Sequence, residues 1–141
     1  MQQRLSIVTL GVADVAEARS FYERLGWRAD LEVEETVFFR VGGIFLILWG
    51  RQKLAEDSGV SDGGGWGGIT LAHNVGSTGE VDDVIEQARE AGARISVAPR
   101  ETFYGGYAGV FVDPDGHPWE IAFNPDLKLG EHGTISLPAA D

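Results

Sequence analysis

The residues of this 141-residue chain that could do chemistry include carboxylates, three histidines and a set of aromatic side chains, while cysteine is absent. That absence excludes thiol catalysis, a disulfide scaffold, iron–sulfur clusters and cysteine-ligated zinc. The histidines are scattered: His117 follows Gly116 in a turn and reads as a solvated side chain, with acid–base work as its minor alternative. His132 lies in a stretch without periodicity, and nothing recommends it. No serine–histidine arrangement or dinucleotide fingerprint occurs, and Gly63-Gly64-Gly65 lacks the strand–loop–helix setting that cradles phosphate. Phe103-Tyr104-Gly105-Gly106-Tyr107 offers more, with three aromatics set around two glycines. Such a segment can be a mobile aromatic flap that closes on a ligand. It can equally be a hairpin with cross-strand aromatic pairs.

Charge bounds the partners. Eleven basic residues against 22 acidic ones give a net charge of −11. Phosphate backbones are gripped by clustered Lys and Arg, so the expectation is no nucleic acid and no anionic membrane surface. The charge serves solubility first and could, secondarily, concentrate a cationic ligand. Apolar runs reach only about five residues, against the roughly 20 that span a bilayer. Met1-Gln2-Gln3-Arg4 leads directly into a strand-like segment with no apolar signal region. The expectation is a soluble, cytoplasmic domain.

The elements that must position these residues come in a repeated order. Leu5 to Val12 is a β-rich run, and Asp14 with Glu17 three residues on reads as a capped helix start. Val15, Ala18, Phe21, Tyr22 and Leu25 then form one apolar helical face, stopped at Gly26. Strands are expected over Trp27–Val33, Thr36–Val41 and Ile44–Trp49, the last two joined by Gly42-Gly43. Residues 51–65 are polar and glycine-rich and read as a linker, with at most one helical turn near Lys53–Asp57. Trp66 to Asn74 restarts the pattern as a glycine-weakened strand, and Ser77 with Glu80 offers a second helix cap. Val81, Val84, Ile85, Ala88 and Ala91 make the second apolar face, closed by Gly92. Arg94–Ala98, Gly106–Val112 and Pro118–Phe123 complete the second set of strands, with Asp113-Pro114-Asp115-Gly116 as a turn. Val15, Ala18, Tyr22, Leu25 and Gly26 each match a residue 66 positions later, the mark of an internal duplication. The predicted fold is therefore α+β, built of two paired βαβββ modules. The first covers about 4–50 and the second 66–125 of a single domain over 1–125, with an aperiodic C-terminal tail over 126–141.

This order, with the string Asp113-Pro114-Asp115-Gly116-His117-Pro118-Trp119-Glu120 after the aromatic loop, resembles the vicinal oxygen chelate superfamily. That superfamily holds glyoxalase I, extradiol dioxygenases, and fosfomycin- and bleomycin-resistance proteins. The resemblance implies sheets curled into an open, cup-like mixed sheet, and commonly a homodimer. It also implies, for metal-dependent members, one ligand on the first strand and one on the last strand of each module. Those positions fall on Ile7, Ile47, Gly68 and Glu120, and only Glu120 can ligate a cation. Three or more protein ligands are normally needed, so no metal and no cofactor are expected. His73, at odd spacing from Gly68, would point to the other side of its strand.

Strand alternation from those four positions sends Thr9, Phe45, Trp49, Trp66 and Thr70 inward with them. With Tyr104 and Tyr107 from the glycine loop, these make an apolar wall with few polar handles, the usual make-up of a small-molecule site. Glu120 is the one candidate catalytic residue; desolvation in an apolar cup would suit its carboxylate to general-base work near neutrality. The leading expectation is a metal-independent binding protein that sequesters an aromatic or cationic compound such as an antibiotic. The alternative is a glyoxalase-like lyase, isomerase or dioxygenase that uses Glu120 with a divalent metal. A third possibility is a structural or regulatory subunit whose cup is filled by its own side chains.

Overall fold

The computed structural model describes residues 1–138; the last three positions of the expected C-terminal tail lie outside the described residues. The chain divides into two compact units, Met1–Gly67 and Gly68–Asp141.

The first unit opens with strand β1 (Ile7–Val12), then helix α1 (Val15–Arg24), strands β2 (Leu31–Val33), β3 (Thr36–Val41) and β4 (Ile44–Gly50), and helix α2 (Arg51–Ser58). Asp14 caps α1: its carboxylate accepts the Glu17 backbone N–H at 3.0 Å, which satisfies a donor the helix itself cannot. The sheet runs β1-β4-β3-β2, with β1 parallel to β4 and the other pairs antiparallel. Ala18, Phe21 and Tyr22 of α1 are buried together with Leu10, Val12, Val37, Phe39, Leu46 and Leu48 from alternate strand positions. The Tyr22 ring packs on Trp27 (5.2 Å) and Phe39 (6.0 Å). This apolar cluster is what turns one face of the sheet toward α1.

The second unit repeats the order with strand β5 (Leu71–Asn74), helix α3 (Thr78–Ala91), and strands β6 (Arg94–Glu101), β7 (Tyr107–Val112) and β8 (Pro118–Phe123). Its sheet runs β5-β8-β7-β6, with β5 parallel to β8. Ser77 caps α3 by accepting the Glu80 N–H at 3.2 Å, while the Glu80 carboxylate accepts the Gly76 N–H at 2.5 Å. Val81, Ile85, Ala88 and Ala91 are buried with Phe111, Trp119 and Ile121. A left-handed glycine follows each helix, Gly26 (φ 93°) one residue past the Leu25 cap of α1 and Gly92 (φ 106°) at the cap of α3, so the 66-residue correspondence of apolar positions holds. The element bounds show why it is imperfect. Helix α3 starts one turn earlier relative to that register, at Thr78 rather than opposite Val15.

Four elements differ from the sequence reading. Trp66–Thr70 is not strand: Gly68 takes φ +83°, and regular pairing begins only at Leu71. Strand β2 likewise begins at Leu31 rather than Trp27. The stretch read as linker contains a two-turn helix, α2, with no buried residue and a left-handed glycine, Gly59, at its end. Strand β6 runs on to Glu101 through Pro99, a residue tolerated because β6 lies at the sheet edge and its register with β7 slips twice. The described part of the tail forms a short antiparallel pair, β9 (Lys128–Leu129) with β10 (Ile135–Ser136). Among the described residues, no helix is long and apolar enough to cross a membrane.

Candidate functional site

In the first unit, cross-strand register sorts the candidate residues. Ile7 lies opposite Phe45, and Thr9 opposite Ile47; Phe38 lies opposite Ile47, and Arg40 opposite Phe45. Phe39 and Leu46, one position out of phase, belong to the α1 side. Ile7, Thr9, Phe45, Ile47 and Trp49 therefore share the face turned away from α1, joined by Phe38 and Arg40. Helix α2 begins at the edge of this face, where the Arg51 backbone crosses so closely that a Cβ on Gly11 would lie 3.2 Å from it. Ile47 is buried and Ile7 is 46% exposed, so the face grades from packed centre to open rim. The Phe38 and Phe45 rings meet edge to face at 6.0 Å, and the Arg40 guanidinium lies 4.4 Å over the Phe45 ring. Phe38 and Arg40 escaped the sequence reading because it weighed first and last strands only. Their signal was the alternation within Thr36–Val41.

In the second unit, Glu120 lies between Val110 on β7 and Ala72 on β5, on the face turned away from α3. Its neighbours there are small: Ala122 lies opposite Ala108 and Asn74. The remaining candidates do not gather around it. Gly68 and Thr70 precede β5 and are exposed. Trp66 belongs to the other unit and is 67% exposed. Tyr107 points the opposite way, toward α3, where its hydroxyl donates to the Asp82 carboxylate at 2.7 Å. That bond raises the Tyr107 pKa, because losing the proton would set two anions side by side. Tyr104 packs edge to face against the exposed Phe103 at 5.3 Å.

The histidines occupy structural places. His73 lies opposite Ile121 on the α3 side, and desolvation there lowers its pKa from the ordinary 6.5. His117 Nδ1 lies 2.7 Å from the carboxylate of buried Asp113, whose other oxygen accepts the backbone N–H of Asp115 and His117. Asp113 thus organises the turn between β7 and β8.

The metal positions implied by the resemblance can be tested on the strand ladders. Opposite Ile47 stands Thr9, and opposite Glu120 stands Ala72. Neither Ile7, Ile47 and Gly68 nor these ladder partners add a nitrogen or carboxylate donor. Among the described residues, no group of three or more His, Cys, Asp or Glu side chains could hold a metal ion. The residues present do not fit the metal centre of the metal-dependent relatives.

The strand order of each unit, a parallel first–last pair followed by two antiparallel strands, is the architecture shared with known proteins. The Glyoxalase/Bleomycin resistance protein/Dioxygenase superfamily matches over residues 4–121. The chain belongs to this superfamily. The crystal structure of a glyoxalase-related enzyme from Fulvimarina pelagi is similar over 98% of this chain and 100% of its own, at 36% identity and a TM-score of 0.90. A glyoxalase/bleomycin resistance protein/dioxygenase family enzyme from Burkholderia phytofirmans PsJN is similar over 84% of this chain and 96% of its own, at 22% identity and a TM-score of 0.72. A lactoylglutathione lyase from Agrobacterium tumefaciens is similar over 87% and 95%, at 20% identity and a TM-score of 0.67. At those lower identities the likeness is one of fold. Among curated proteins, none matches.

Proposed function

We propose that this superfamily member is a metal-independent binding protein that sequesters an aromatic small molecule against the first unit's sheet, on the face turned away from α1. The observation that carries the reading is the register that lines up Ile7, Phe38, Phe45, Ile47 and Trp49 there with no carboxylate or imidazole among them. Apolar and aromatic walls bind planar ligands through burial, and aromatic contacts add about 0.5–1.5 kcal/mol each. A cationic ligand, the class suggested by net charge, is less suited to this face because Arg40 already stands on it. Sequestration also agrees with the bleomycin-resistance branch named in the superfamily. In this reading the protein acts in the cytoplasm as a homodimer, which sedimentation of the purified protein tests.

The binding test is tryptophan fluorescence during titration with planar aromatic compounds. Quenching that is largely lost in Trp49→Phe is the expected result; emission indifferent to every compound would favour a face filled only by its own side chains. A second reading, a glyoxalase-like lyase, isomerase or dioxygenase, draws on the 36% identical glyoxalase-related enzyme and on Glu120 at a ligand position. Elemental analysis separates the two. One divalent ion per chain, with activity abolished by a chelator and by Glu120→Gln, would replace sequestration with catalysis.

A further inference from the structure

We infer that the ligand of the first unit's open face carries a carboxylate on its planar ring system, and that Arg40 recognises it. This rests on the binding reading above and narrows it to one chemical class.

Arg40 stands on β3 directly opposite Phe45, and its guanidinium carbon lies 4.4 Å over the centre of that ring. A guanidinium over a ring leaves N–H donors at its edge, and a carboxylate can accept two of them side by side. Among the described residues, no carboxylate takes that place. Arg19 is paired with Glu23 and Glu32, Arg51 with Asp62, Arg89 with Glu86, and Lys53 with Glu35. Arg40, like several surface cations, has no ion pair with any described residue, but it is the one set over an aromatic ring of this face. The nearby acid, Asp30, is turned to the strand instead, accepting the Arg40 backbone N–H at 2.7 Å. In a chain with 22 acidic and 11 basic residues, this face thus presents a positive group beside Phe38, Ile7 and Ile47 and no acid. A ring resting on those side chains and bearing a carboxylate meets both the apolar surface and the open donors. A ring bearing an ammonium group meets like charge.

The test uses three probes that share one ring system: 2-naphthoate, 2-naphthalenemethanol and 2-naphthylmethylammonium. Their dissociation constants are read from amide chemical-shift titrations of the full chain, following Ile7, Phe38, Phe45 and Ile47. Charge-assisted pairing at a half-open site should make the naphthoate bind about tenfold tighter than the alcohol, with the ammonium weakest. In Arg40→Gln the ratio of the alcohol and naphthoate dissociation constants should fall from about ten to about one, and Arg40→Lys should restore only part of the preference, lacking the fork. Equal binding of naphthoate and alcohol, a preference that survives in Arg40→Gln, or a preference for the ammonium would overturn the inference and leave aromatic binding intact. If none of the three shifts these amides, the binding reading itself fails and takes the inference with it.

Discussion

The two sheets share one strand order and one pattern of parallel and antiparallel pairs, yet their outward faces carry opposite equipment. Opposite α1's side, the first sheet presents Ile7, Phe38, Phe45, Ile47 and Trp49 around one guanidinium. Opposite α3's side, the second presents Ala72, Ala108, Ala122 and Val110 around one carboxylate, Glu120. The faces packed on the helices, by contrast, follow the same rule in both units, with buried aliphatic and aromatic residues at alternate positions. The two units thus agree on the side of each sheet that makes the fold and differ on the other. Function is to be sought on the side that differs.

The largest expected effect distinguishes the two faces of the first sheet. Phe39 is 1% exposed against Tyr22 and Trp27, so Phe39→Ala should cost about 3–5 kcal/mol in urea unfolding. Phe45→Ala, on the outer face, should cost clearly less and should instead weaken aromatic binding. Equal losses would mean that the outer face is core and not a site.

A smaller effect separates the glycine loop of the second unit from an ordinary hairpin turn. A Cβ on Gly106 would lie 2.5 Å from the Phe123 carbonyl oxygen and from the Tyr104 ring. Gly106→Ala should therefore lose about 1–3 kcal/mol by overpacking, whereas Gly63→Ala, with open space around it, should leave the melting temperature unchanged. Next come the two caps. Asp14→Ala and Ser77→Ala should each lose about 1 kcal/mol, and a marked inequality would show that the units differ in how far they depend on their helices.

The smallest effect is a pH dependence peculiar to the second unit. Partial desolvation of His73 within its strand lowers its pKa from the ordinary value, so the unfolded chain takes up the proton first. Its contribution to stability is complete above about pH 6.5 and is lost as pH falls through that value toward the depressed one. His73→Gln should flatten this part of the stability curve, and a His73 resonance titrating at or above 6.5 would refute the account.

Much of the fold was legible because local signals agreed with one another. Asp14 and Ser77 marked helix starts, Gly26 and Gly92 their ends, and Pro118–Phe123 emerged with its expected bounds. Alternation sufficed to group Ile7, Thr9, Phe45, Ile47 and Trp49, since in regular strands parity alone decides the face. It failed before β5, where Gly68 at positive φ breaks the parity on which Trp66 and Thr70 depended. Helix α2 was underread because it buries nothing; its residues favour helix by propensity, which leaves no apolar stripe to see. The direction of Tyr107 was not legible because the partner of its hydroxyl, Asp82, lies 25 residues away in sequence, beyond the reach of any local pattern.

The irregular outer strands have a further consequence. Strand β2 spans three residues, with Glu32 tethered to Arg19 of α1, and β6 carries Pro99 and a slipping register. Neither offers a long, straight row of free amides on which a foreign strand could template itself. These two of the four margins of the four-stranded sheets are thereby defended against runaway polymerisation by strand addition.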